Sequence, residues 1–202
     1  MRMILVGPPG AGKGTQAAKL VEAGELDAAV AKYKQVSLEA PELVEAHANL
    51  ANVYRLKKDW AAAEAELLQV TQKRPQVETS LALAVLYEES EQKDKLRAHL
   101  EQSASAYAEN VLFQLEAGRL YYNLLDVEKA ASAFQKASSL DPSQAEPHFF
   151  LGALAIGRNE HAEAIAELKK YLSMAGPDAT YVPQAKQLLE GLEAAPATDE
   201  PG

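Results

Sequence analysis

Six residues near the N-terminus carry the clearest potential for chemistry. Gly7, Gly10, Gly12, Lys13, Gly14 and Thr15 fall within the stretch Gly7-Pro8-Pro9-Gly10-Ala11-Gly12-Lys13-Gly14-Thr15. Glycines at this density let backbone N–H groups close around anionic oxygens. The lysine would reach terminal phosphates, and a helix starting at the loop would add its positive end. If the loop functions, these six residues hold the phosphates of a bound ligand.

A phosphate loop (P-loop, or Walker A motif) needs a strand before it, a helix after it and a parallel sheet that buries the strand. Ile4-Leu5-Val6 supplies the strand. No second run of β-branched or aromatic residues supplies a neighbour; Ser80 to Tyr87 comes nearest, and its surroundings read as helix. Residues 1–20 closely resemble the N-terminus of the adenylate kinase family, with Thr15 following Gly14 as in that family. The resemblance would imply phosphoryl transfer from ATP to AMP. Its further motifs are missing: the chain contains no Asp-Gly pair, and Arg2, Arg55, Arg74, Arg97, Arg119 and Arg158 are dispersed. Phosphoryl transfer works by positioning and charge stabilisation, and one loop offers neither a metal-holding acid nor a clamp. The chain is therefore expected not to be an enzyme, with no catalytic residue and no cofactor.

Other candidates for chemistry are sparse. With no cysteine there is no disulfide framework or thiolate site. His47, His99, His148 and His161 are scattered, with no metal-ligand spacing, and read as packing or surface residues. Glu88-Glu89 with Glu91 and Asp94, and Lys57-Lys58-Asp59, read as solvated helix ends. A formal charge of -9 argues against nucleic acid and anionic membranes. No run approaches the roughly 18 apolar residues of a membrane span, and the N-terminal apolar run is too short for a signal peptide. These features give a default expectation of a cytoplasmic protein.

Beyond the head, Ala, Leu, Glu, Gln and Lys dominate, and five of the eleven glycines lie in the first 24 residues. An all-α body is expected. It repeats with a period near 34: Pro41 and Pro75 are 34 apart, and Pro142 lies 67 further on. Leu50, Ala51 and Tyr54 mark one helix, and Ala63, Leu67 and Val70 the next. Gly118, Tyr121, Ala130, Phe134 and Ala137 repeat the scheme, as do Leu151, Gly152, Ala164 and Leu168. Small residues recur where two helices must cross closely.

This spacing resembles the tetratricopeptide repeat family. It implies a right-handed α-solenoid of about five helix-turn-helix repeats, roughly 10–43, 44–77, 77–110, 111–144 and 145–178. The third repeat diverges, lacking the closing proline and carrying Leu96 in place of alanine. A capping helix is expected within 179–194 and a disordered tail over 195–202. The array occupies 24–178, and the head, residues 1–23, overlaps the first helix of the first repeat. There Ala17 and Leu20 fall where the first repeat wants a small and a larger core residue. The chain thus reads as a chimera, joined within about residues 17 to 23.

The resemblance implies a protein or peptide partner in a concave groove lined by the first helix of each repeat. The positions are Asn52 and Arg55; Leu81, Val85 and Glu88; Leu112, Leu115, Arg119, Tyr122 and Asn123; and Phe149, Ala153 and Ile156. A groove with this composition suits an apolar or amphipathic segment. A carboxylate clamp is incomplete, because the companions of Asn49 and Asn52 fall on Gly14 and Ala18.

Overall fold

The computed structural model describes residues 12–194, with side chains from Gln16 onward. Gly7, Gly10 and the strand expected at Ile4–Val6 lie outside the described residues, as does the tail. The described residues form eleven helices and no strand: α1 Gly12–Glu22, α2 Leu26–Glu39, α3 Val44–Leu56, α4 Trp60–Lys73, α5 Val77–Glu89, α6 Lys93–Ala104, α7 Val111–Asn123, α8 Val127–Leu140, α9 Glu146–Gly157, α10 His161–Met174 and α11 Val182–Ala194. The fold class is all-α, a solenoid of helical hairpins. Gly12, Lys13, Gly14 and Thr15 lie in the first turn and a half of α1, and α1 packs on α2. The sheet that a phosphate loop requires does not occur among the described residues.

Each hairpin is closed by one steric arrangement. A small residue on the first helix, namely Ala17, Ala51, Ala84, Gly118 or Gly152, is buried in every repeat. Sixteen residues later a large one, Tyr33, Leu67, Leu100, Phe134 or Leu168, is buried on the second helix. The fit leaves no slack. A Cβ added to Gly118 would lie 2.8 Å from Phe134 Cε1, and one added to Gly152 would lie 2.8 Å from Leu168 Cγ. Ala29, Ala63, Ala130 and Ala164 keep the second helix close, each fully buried. In the third hairpin Leu96 takes that place, and polar bonds supplement the contact: His99 Nε2 donates to the Ser80 carbonyl at 2.8 Å, and Ser80 Oγ lies 2.9 Å from Ser103 Oγ.

The turn within each hairpin repeats just as closely. Gly24, Lys58, Glu91, Leu125 and Asn159 all adopt positive φ, between 59° and 77°. At Lys58 the turn is closed by Lys58 N–H to Arg55 O and Asp59 N–H to Tyr54 O, at 2.9 Å each, and the other four turns share this pair of bonds. It is the left-handed helix stop that glycine accommodates best. The chain divides into two compact units, Met1–Ser103 and Ala104–Gly202. In the first, α1 to α5 pack in sequence and α6 is bonded to α5; in the second, α7 to α11 pack in sequence.

Aromatic stacking fills the second unit. Phe134 and Phe150 stack at 4.7 Å, Tyr122 meets Phe150 edge-on at 5.4 Å, and Phe149 stacks on Tyr181 at 4.4 Å. Tyr181 immediately precedes α11, so the last helix is fastened through the aromatic core as well as through its buried Val182 and Ala185.

Two substitutions separate these effects. Leu125 is 85% exposed at positive φ, so Leu125→Gly should raise stability by about 0.5–1 kcal/mol by relieving left-handed strain. Gly118→Ala should lower it by about 1–3 kcal/mol through overpacking against Phe134. Urea unfolding measures both; effects of the same sign, or a loss for Leu125→Gly with a gain for Gly118→Ala, would contradict the assignment.

Candidate functional site

The first helix of each hairpin presents one side to solvent or to its neighbour. On α7, Leu112, Leu115, Arg119 and Tyr122 follow the three-and-four spacing of a single helix face. Ala153 and Ile156 do the same on α9. The two helices lie side by side, joined by the Tyr122–Phe150 ring contact and by Arg119 Nε to Glu146 Oε1 at 3.7 Å. Leu112 is 36% exposed, and Leu115, Arg119, Tyr122, Ala153 and Ile156 are half-buried. Asn123 is exposed at the end of α7. The second unit therefore carries a mostly apolar face crossed by one ion-paired arginine.

The corresponding face of the first unit is polar. Arg55 donates to Glu89 at 2.5 Å and to Asn52 at 3.0 Å, tying α3 to α5. Val85 and Glu88 stand beside them, half-buried.

Three residues expected in the groove belong to the packing instead. Leu81 is 5% exposed and Asn52 8%, the latter turned to accept from Arg55. Phe149 is 3% exposed because Tyr181 lies flat against it. A position that would be open at the end of an unfinished stack is closed by the segment that leads into α11.

A polar pairing escaped the sequence reading. His47 Nδ1 lies 2.6 Å from Glu66 Oε2, and His148 Nδ1 lies 2.6 Å from Glu167 Oε2. In both, the carboxylate accepts and the first helix is joined to the second. Both pairs are separated by 19 residues. Ser80 and His99 share that separation with the imidazole moved to the second helix. Only the recurrence of 19 could have revealed the set, since a single His and a distant Glu carry no signal. Among the described residues no group of three His, Cys, Asp or Glu is placed to hold a metal.

Electrostatics differ among these groups. Burial holds the His99 imidazole below its ordinary value of 6.5, against the Ser80 carbonyl, which favours its proton. Burial raises the Tyr87 hydroxyl, and its bond to Glu64 raises it further. Burial opposes charge on Glu64, yet hydrogen bonds from Lys95 and Tyr87 and the lysine charge hold its carboxyl below the usual range.

Stacked helical hairpins whose first helices offer a face for contact define an α-solenoid of the binding class. Tetratricopeptide repeat models match residues 20–86 and 115–179, well over half of the sequence, and the chain belongs to the tetratricopeptide repeat family. Among solved structures, the chain is similar to YrrB, described as a TPR protein with an unusual peptide-binding site, at 19% identity and TM-score 0.63, covering 85% of this chain and 88% of that one. It is similar to MamA from Desulfovibrio magneticus RS-1, at 19% identity and TM-score 0.64, covering 80% and 92%. It is also similar to Pseudomonas aeruginosa PilF, at 14% identity and TM-score 0.63, covering 88% and 86%. No curated protein sequence matches the chain.

The buried imidazole gives a pH dependence. His99 titrates lower in the folded state than its ordinary 6.5, so the unfolded chain takes up the proton first and stability falls as pH drops below about 6.5. Thermal melts at neutral and mildly acidic pH should show a smaller loss for His99→Gln than for the parent. An equal loss in both would contradict the assignment.

Proposed function

We propose that the chain is a non-catalytic protein-interaction scaffold whose second unit holds an apolar or amphipathic segment of a partner against α7 and α9. The observation that carries this reading is the face made by Leu112, Leu115, Tyr122 and Ile156, which is incompletely covered and continuous across the two helices joined by the Tyr122–Phe150 contact. Its residues stand at helical spacing on two adjacent helices, which suits side chains projecting from one side of a partner helix or from an extended segment. YrrB, described as having a peptide-binding site, shares the fold and supports the reading. Asn123, exposed at the end of α7, would contribute polar selectivity at the edge of that face. The reading assigns the chain neither ATP nor Mg2+.

Peptide selection from a displayed library on the full chain, followed by calorimetry, tests the face. Leu115→Asp combined with Tyr122→Ala should weaken selected peptides at least about tenfold. Leu125→Asp, on the exposed turn, should leave them unchanged. Undiminished binding by the double variant, or failure to select any peptide, would contradict the proposal.

A further inference from the structure

We infer that the segment seated on α7 and α9 is cationic: its apolar side meets Leu112, Leu115, Tyr122 and Ile156, and a lysine or arginine on it pairs with Glu116 and Glu146. This rests on the reading of that face as the partner site and specifies the partner's chemistry. Arg119 is the cation placed between the two carboxylates. Its Nη1 is 3.5 Å from Glu116 Oε1 and its Nε is 3.7 Å from Glu146 Oε1. Both separations are longer than the roughly 2.7–2.9 Å of a charge-assisted hydrogen bond. One guanidinium therefore serves two carboxylates loosely, leaving one net negative charge beside an apolar face.

That charge is not well solvated. The Glu116 side chain is 18% exposed and that of Glu146 38%. Burial pushes the Glu146 carboxyl up and the Glu116 charge adds to this, while Arg119 opposes both. Among the described residues, Arg119 is the one cation that pairs with either carboxylate. The unit as a whole has fourteen Asp and Glu against seven Lys and Arg, so its wider field also favours a positive partner. A lysine suits the geometry because its methylene stem can lie along Leu115 while the ammonium reaches the carboxylates. An anionic segment would meet repulsion at that point, and a neutral one would leave the charge uncompensated.

Three labelled amphipathic peptides with one shared apolar face, and with lysine, glutamine or glutamate on the other, distinguish the outcomes by fluorescence anisotropy with the full chain. The lysine peptide should bind about tenfold tighter than the glutamine peptide at low salt, with the advantage shrinking as salt rises. Glu146→Gln should remove most of that advantage while leaving the glutamine peptide unaffected, and Glu116→Gln should act in the same direction. Equal binding of all three peptides, abolished by Leu115→Asp, would overturn the cationic assignment and leave the apolar face standing. A lysine preference unchanged in both glutamine variants would overturn it too, tracing the preference to overall charge. Binding of none of the peptides would contradict both proposals.

Discussion

The close crossing of two helices over a side chain too small to separate them is the contact on which this molecule depends. Ala17, Ala51, Ala84, Gly118 and Gly152 each sit beneath a large side chain of the following helix, and in the glycine cases there is no room for one more carbon. Dispersion gains and apolar burial are greatest when helices approach this closely, and the interior tolerates little deviation in volume. The hairpin then needs a turn of fixed length and hand. That is why Lys58, Glu91 and Leu125 are held at positive φ, although none of the three is suited to it. Packing of whole helices outweighs local backbone preference at these three turns.

Once the hairpins are closed, their outward sides are free to differ. The first unit places Arg55, Asn52 and Glu89 there in hydrogen-bonded contact, whereas the second leaves leucine, tyrosine and isoleucine beside a loosely paired arginine. The buried side chains determine that a stack forms, and the partly exposed ones determine what the stack can hold. Tyr181 marks the limit of that freedom, because it covers Phe149 and fastens α11 to the unit.

Much of the architecture was legible in the sequence because its constraint is periodic. The 34-residue spacing of small and large residues marked the hairpins, and it placed Ala17 in the first of them although the surrounding string resembles a phosphate loop. Ala17 is fully buried, as the register requires. The site was less legible. Phe149 occupies a groove position by register, but its burial depends on Tyr181, 32 residues away. The His47–Glu66 and His148–Glu167 pairs obey a spacing of 19 that belongs to no single helix. The positive φ of Leu125 carries no glycine or asparagine to announce it. Interactions that recur with the backbone can be read from a sequence, whereas those that depend on one particular neighbour cannot.

The central claim is that the steric register governs the described residues from α1 onward, so that Gly12–Glu22 serves as the opening helix of a repeat. Amide hydrogen exchange across Ala17–Glu22, with and without ATP and Mg2+, tests it most directly. The account predicts slow exchange from this segment without nucleotide, comparable to the buried turns of α2, and no change when nucleotide is added. Rapid exchange that becomes slow only with ATP and Mg2+ would contradict it.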